Sequence, residues 1–431
     1  MNKSIKNIFF FNFIIIPVYS FLKLYFQTDI PQLDNINEKE KFLQNEKNEI
    51  YINLLIGTPP QKIKIYLKFS TYYFFISNDT LNNFYNEKIS KTFKSLEGRS
   101  FGYLKEPFLK GQKSSDNIEM EDIKENKKTK IQIPNFQFIL ATGYLKDNKK
   151  ISGGIGLKLK EKDNDNLDFI HLLKNEKIIN SFYWSILYIN NNEGYLYIGG
   201  LPHEFDNNYD SYYLRNTNPD IKLNDGLWYL NFDKMTFGNF SLVRNNRFEL
   251  KIESGFIYGN YEILYLIENN FFKEYIEKKI CFKNLSSYEE EDSFNFFYCN
   301  QLTIIKNFPE IKLFQRNLNI TFILNYEDLF EKIGNNFYLL IVFSRQNLNN
   351  WILGKPFFKK YQLIFEPDKK NILSYFGFPK KENHLNTYII FFIIFLLILF
   401  ISLIIFKIFF FSSKKLKAIE LEDTNNYMNI M

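Results

Sequence analysis

From Tyr51 onward the chain is written as short apolar or alternating runs, with Gly, Asn, Asp and Pro between them. Residues 51–56, 63–67, 74–76, 136–140, 183–189, 195–198 and 227–232 are such runs. Segments this short suit strands, whose side chains alternate between two faces, and are too short for packed helices. The spacing therefore predicts a mostly β body. Two patches, 167–174 and 261–280, instead place apolar residues at helical spacing. Residues 105–132 are charged and are expected as exposed hairpins or loops. No repeat of about 20–50 residues, the signature of a solenoid, is visible.

A chain of 431 residues allows about two or three domains. With 45% hydrophobic and 24% charged residues it has the material for a sizeable core. The net charge of +6 is spread over many Lys and Glu rather than drawn into an Arg-rich stripe, which argues against a nucleic-acid partner. Two Cys and three His (His171, His203, His384) leave no ligand set for a zinc cluster and no disulfide-dense scaffold. No metal and no cofactor is implied, and the oligomeric state is not legible.

The ends point to a compartment. A short basic start leads into an apolar run from Ile8 to Phe21, broken by Pro17, which reads as a signal peptide over 1–25. An uncleaved signal anchor is the alternative on the same pattern. Residues 26–48 are polar and are expected as a short leader outside the core. Residues 388–406 are almost wholly Ile, Phe and Leu; the run stops at Lys407 and resumes over 408–411. About 20 such residues span a bilayer core as one helix, so 388–411 is predicted to be transmembrane. Lys414, Lys415 and Lys417 then place the tail, 412–431, on the cytoplasmic side. The expectation is a single-pass type I membrane protein with a luminal or extracellular body. Sequons at Asn78, Asn239, Asn284 and Asn319 fit that compartment. An oxidising lumen would pair Cys281 with Cys299, the only thiols; two free buried thiols are the alternative.

Several segments together resemble the pepsin-like aspartic peptidases. Ile56-Gly57-Thr58-Pro59-Pro60-Gln61 is similar to the family's opening hairpin, and Ser90-Lys91-Thr92-Phe93-Lys94 to the segment before its flap. Ile151-Ser152-Gly153-Gly154-Ile155-Gly156-Leu157 resembles its Phe-Asp-Gly-Ile-Leu-Gly-Leu. Gly194 to Gly200 resembles its Gly-x-Leu-x-(Phe/Ile)-Gly-Gly, and Tyr298-Cys299-Asn300 its second-lobe Cys, with Cys281 as partner. Trp351-Ile352-Leu353-Gly354 and the residues through Tyr361 resemble its Ile-Leu-Gly-Asp-x-Phe-(Leu/Met)-Arg-x-Tyr. The resemblance implies a bilobal fold, with an N-terminal β lobe over 49–205 and a C-terminal β lobe over 206–381. Each lobe of such a fold offers one Asp on a turn, in a cleft that holds an extended peptide.

At those turns the sequence departs. Counting on from Gly57, the family's Asp-Thr-Gly-Ser falls on Lys68-Phe69-Ser70-Thr71, so Lys replaces Asp and Phe replaces a Thr that bonds across the lobes in the family. In the second lobe Glu253 is taken to stand for Asp, with Ser254 and Gly255 as the cleft residues after it. Two carboxylates must share one proton for this hydrolysis. An ammonium neither accepts a proton from water nor shares one with a carboxylate. Lys68 and Glu253 are expected to face each other as an ion pair. Tyr103 is the candidate flap tyrosine, with an ordinary strand tyrosine as the alternative. Ile155-Gly156 and Leu353-Gly354, which brace the two turns in the family, are kept. The reading is a membrane-anchored, catalytically impaired relative that binds a peptide or protein in its cleft. The alternative is an active aspartic-type endopeptidase with an atypical centre.

Overall fold

The computed structural model describes residues 21–29, 36–47, 49–78, 84–96, 109–124, 127–144, 151–159, 167–206, 208–217, 226–287, 293–344, 351–376, 393–405 and 407. The chain divides into two units, Met1–Phe376 and Gly377–Met431. In the first, the described strands form one sheet of 13 and another of 11. This is the mostly β architecture that the spacing of the apolar runs predicts.

The first sheet begins with β1 (Leu22–Thr28), β2 (Ile50–Ile56), β3 (Gln61–Lys68) and β4 (Phe74–Ser77). β2 and β3 are a hairpin in which Ile56 faces Gln61. Its turn puts Gly57 at φ +87°, and a Cβ there would lie 2.7 Å from the Ser90 hydroxyl. That hydroxyl accepts from the Thr58 amide at 3.0 Å, which joins the pre-flap segment to the opening hairpin. β5 (Lys94–Ser95) follows, and then a long hairpin of β6 (Leu109–Lys124) and β7 (Lys127–Tyr144) realises the charged region as two strands. β8 (Gly153–Gly156) closes this half.

A crossed pattern occurs twice. β8 runs parallel to β3 and antiparallel to β4, and β4 runs parallel to β7. In the second sheet, strand Trp351–Leu353 runs parallel to Phe240–Leu250 and antiparallel to Ile257–Gly259, which runs parallel to Ile341–Ser344. Each pattern presents one turn at the end of a central strand. The chain finally returns to the first sheet, where Ile364 and Phe365 pair with Ser185 and Trp184. Trp184 stacks on Phe365 at 4.0 Å, and both are buried.

The helical patches are present as Phe169–Asn175 and as a helix from Tyr261 to Glu277 with a wider turn over Glu268–Phe272. Cys281 and Cys299 face each other across two antiparallel strands and form a disulfide. Closing a loop of this length is worth about 3 kcal/mol.

The expected boundary at 25/26 is corrected. β1 runs through it, pairs with β2 and with Glu193–Ile198, and buries Leu22, Leu24 and Phe26. Residues 26–48 are not a detached leader either, because helix α1 (Glu38–Gln44) packs into the second half of the molecule. Alternating apolar residues in 22–26 were the available signal, and the neighbouring apolar run masked it. Among the described residues no helix is long and apolar enough to cross a membrane. Helical residues 393–405 lie inside the expected span, and its remaining residues, apart from Lys407, lie outside the described ones.

Candidate functional site: two braced turns that meet

The first turn follows β3. Lys68 pairs with Gly156, and the Lys68 carbonyl accepts from the Leu157 amide at 2.7 Å. Gly156 is needed because a Cβ would lie 2.3 Å from the Tyr72 carbonyl carbon. The second turn follows strand Phe240–Leu250. Gly354 is its brace: a Cβ there would lie 2.2 Å from the Phe256 carbonyl oxygen and 2.5 Å from that of Ser254. Both bracing motifs therefore act as the resemblance implies.

The register corrects one position. Leu67 is opposite Ile155 in one pattern, and Leu250 is opposite Leu353 in the other. The residue after Leu250 is Lys251, whose amide donates to the Leu353 carbonyl at 3.1 Å. Lys251, not Glu253, is thus the register counterpart of Lys68, and Glu253 comes two residues later. Matching the turn by its Gly255 produced the offset. The signal lay in the strand spacing: Lys68 precedes Phe74 by the same interval as Lys251 precedes Ile257.

The two turns do meet. Glu253 Oε1 accepts a hydrogen bond from the Phe69 amide at 2.5 Å, and among the described residues its buried Oε2 meets no donor. The expected ion pair does not form: no Glu253 oxygen lies within 4.0 Å of Lys68 Nζ. That ammonium instead lies 5.7 Å from the centre of the Tyr66 ring. The carboxylate is taken by a backbone donor because the turn aims the Phe69 amide at it, and Lys68 itself is half-buried.

Phe69 points the other way. It is buried and meets Trp184, Phe365 and Phe358 edge to face, with ring centres 5.5, 5.8 and 6.0 Å away. Ser254 is buried; its hydroxyl donates to the Phe256 carbonyl at 2.7 Å rather than reaching across the lobes. Gly255 is covered, since a Cβ there would lie 1.5 Å from the Asn45 carbonyl oxygen. Tyr103 lies outside the described residues.

Lys355 stands where the resemblance has Asp after the brace, and its amide donates to the Ser254 carbonyl at 2.8 Å. Burial pushes its ammonium down from 10.5 to about 8, against the opposing pull of Glu331. Between those values the unfolded chain holds a proton that the native chain has released, so stability rises with pH through this window. Below about 8 both states are protonated and the full penalty applies. Lys355→Met is expected to stabilise the protein at neutral pH and to flatten this rise. Denaturant midpoints of the wild type and the variant, measured from pH 7 to 10, check it, and a gap between the two that does not narrow as pH rises would refute it.

Two sheets, a doubled crossed-strand pattern and facing, glycine-braced turns define an aspartic-peptidase-type scaffold. The chain belongs to the eukaryotic aspartyl protease family, whose family model matches residues 49–374. Among solved structures it is similar to conglutin gamma, a basic 7S globulin from lupine seeds, at 10% identity and a TM-score of 0.60, covering 83% of this chain and 95% of that one. It is also similar to basic 7S globulin from soybean, at 13% identity and a TM-score of 0.58, covering 85% and 97%. No curated protein matches the chain.

Proposed function

We propose that this protein is a non-catalytic, membrane-anchored member of its family that holds a peptide or protein between its lobes without cutting it. One observation carries the reading: lysines occupy both register positions, Lys68 and Lys251, at the ends of the braced central strands. Peptide hydrolysis by this scaffold needs two carboxyl groups, one to deprotonate water and one to protonate the scissile carbonyl. Glu253 is a carboxylate where the turns meet, and the Phe69 amide already engages it. A retained strand framework with displaced acid chemistry suits recognition by strand addition, in which backbone groups bind an extended chain.

Membrane anchoring rests on the apolar stretch 388–411 and the lysines after it. The full chain, purified in mild detergent, is expected to leave denatured protein intact from acid to neutral pH while binding a transition-state peptide mimic. Cleavage that Glu253→Ala abolishes would overturn the non-catalytic reading. Release of the protein from membranes by alkaline carbonate would overturn the anchor.

A further inference from the structure

Away from the two turns, many lysines are held by acids. Lys64 meets Asp29 at 2.8 Å, and Lys130 and Lys283 meet Glu119 and Glu268, each at 2.7 Å. Lys360 and Lys369 are likewise bound, to Asp328 and Glu366. At the turns the pattern stops. Lys68, Lys251 and Lys355 are half-buried, and among the described residues no carboxylate oxygen lies within 4.0 Å of their ammonium groups.

The backbone gathers these three lysines around one contact, the bond from the Phe69 amide to Glu253. Lys68 directly precedes Phe69, and Lys251 precedes Glu253 by two residues. The Ser254 amide donates to the Lys251 carbonyl at 3.1 Å, which holds Lys251 in the second turn. Lys355 joins the same turn through its own amide, bonded to the Ser254 carbonyl.

The nearby acids do not neutralise this group. Glu253 is engaged by the Phe69 amide. Glu331 pulls on Lys355 from beyond ion-pair distance, and its own oxygens accept from Asn45 Nδ2 at 2.9 Å and Asn191 Nδ2 at 3.1 Å. Lys68 Nζ has only the Tyr66 ring, a weak partner beside a true ion pair.

Taking an ammonium partly out of water without a counter-ion is unfavourable, and the lowered proton affinity of Lys355 reports that cost. An incoming anion offsets it, whereas a second cation adds to it. A carboxylate suits the arrangement. Its two oxygens offer about four acceptor sites, and each lysine is a rotatable point charge that demands no planar, two-pronged partner.

We propose that the ligand held at the two turns is an acidic peptide, with the carboxylate of an Asp or Glu side chain lying among Lys68, Lys251 and Lys355. This rests on the peptide-holding function proposed above and names the chemical class of what is held. The charge reversal that removes hydrolysis therefore also sets selectivity: acidic chains are drawn in, and basic ones are repelled.

The test uses the full chain in mild detergent and three fluorescent peptides of one length. They differ only at two central positions, which carry Asp-Glu, the uncharged isosteres Asn-Gln, or Lys-Lys. The Asp-Glu peptide is expected to bind at least about tenfold more tightly than Asn-Gln, and Lys-Lys more weakly than either. Added salt should shrink the acidic advantage. Lys68→Gln/Lys251→Gln should reduce it to about twofold or less, and Lys68→Arg/Lys251→Arg should keep it. An advantage that survives intact in the Gln variant overturns the proposal.

If that variant does not fold, the wild-type chain decides. A carbodiimide joins a carboxylate to an amine in direct contact, without a spacer. Mass mapping should find the Asp-Glu peptide linked to Lys68, Lys251 or Lys355; links confined to other lysines overturn the proposal. Equal binding of the Asp-Glu and Asn-Gln peptides overturns the acidic class and leaves the peptide-holding function standing. Binding of none of the three defeats both.

Discussion

Lys68→Asp is expected to leave the protein without measurable peptidase activity, on the order of a million-fold below a centre in which both acids act as a unit. The expectation follows from register. Lys251 sits where the counterpart of residue 68 belongs, so the single replacement restores one acid opposite a second cation. Glu253 does not fill the gap, because its Oε1 is held by the Phe69 amide at 2.5 Å. A displacement of about 1 Å at a reacting group already lowers rates about 100-fold. Turnover of denatured protein by wild type, Lys68→Asp and Lys68→Asp/Lys251→Asp checks this. Equal acid-dependent cleavage by the single and double variants would show Glu253 serving as second acid and would end the register argument.

Phe69→Thr, which reinstates the family's residue, is expected to destabilise the protein by about 3–5 kcal/mol. The ring fills a buried pocket among Trp184, Phe358 and Phe365, at the place where strand Leu363–Glu366 rejoins the first sheet. Threonine would leave a cavity and bury a hydroxyl without a partner. Losses of this size are a large share of a typical domain stability of about 5–15 kcal/mol. Urea denaturation measures it, and a loss under about 1 kcal/mol would show that this turn position tolerates the family's residue. Phe69 is thus a core residue at the first turn, which explains why that turn holds its shape.

Much of the scaffold was legible in order along the chain. Gly57-Thr58-Pro59-Pro60 located the first hairpin, and Ile155-Gly156 and Leu353-Gly354 located both braces. These are readable because backbone crowding permits only glycine there, so the residue type reports the geometry directly. The second turn was misplaced by two residues, since a glycine can be demanded by any close approach. Gly255 answers to the Asn45 carbonyl rather than to the family's turn. The expected ion pair failed for a related reason: residue identity sets charge, but the partner depends on where a backbone amide points.

The sequence by itself determined the β framework, the braced turns and the presence of lysine at position 68. Alternation, glycine and charge are properties of residues and survive without coordinates. Only the tertiary structure showed that Lys251 mirrors Lys68, that Glu253 reaches the Phe69 amide, and that Phe42 lies against the second turn. Each of these joins residues far apart in the chain, and such contacts are chosen by sheet register and packing, which no local pattern of residues encodes.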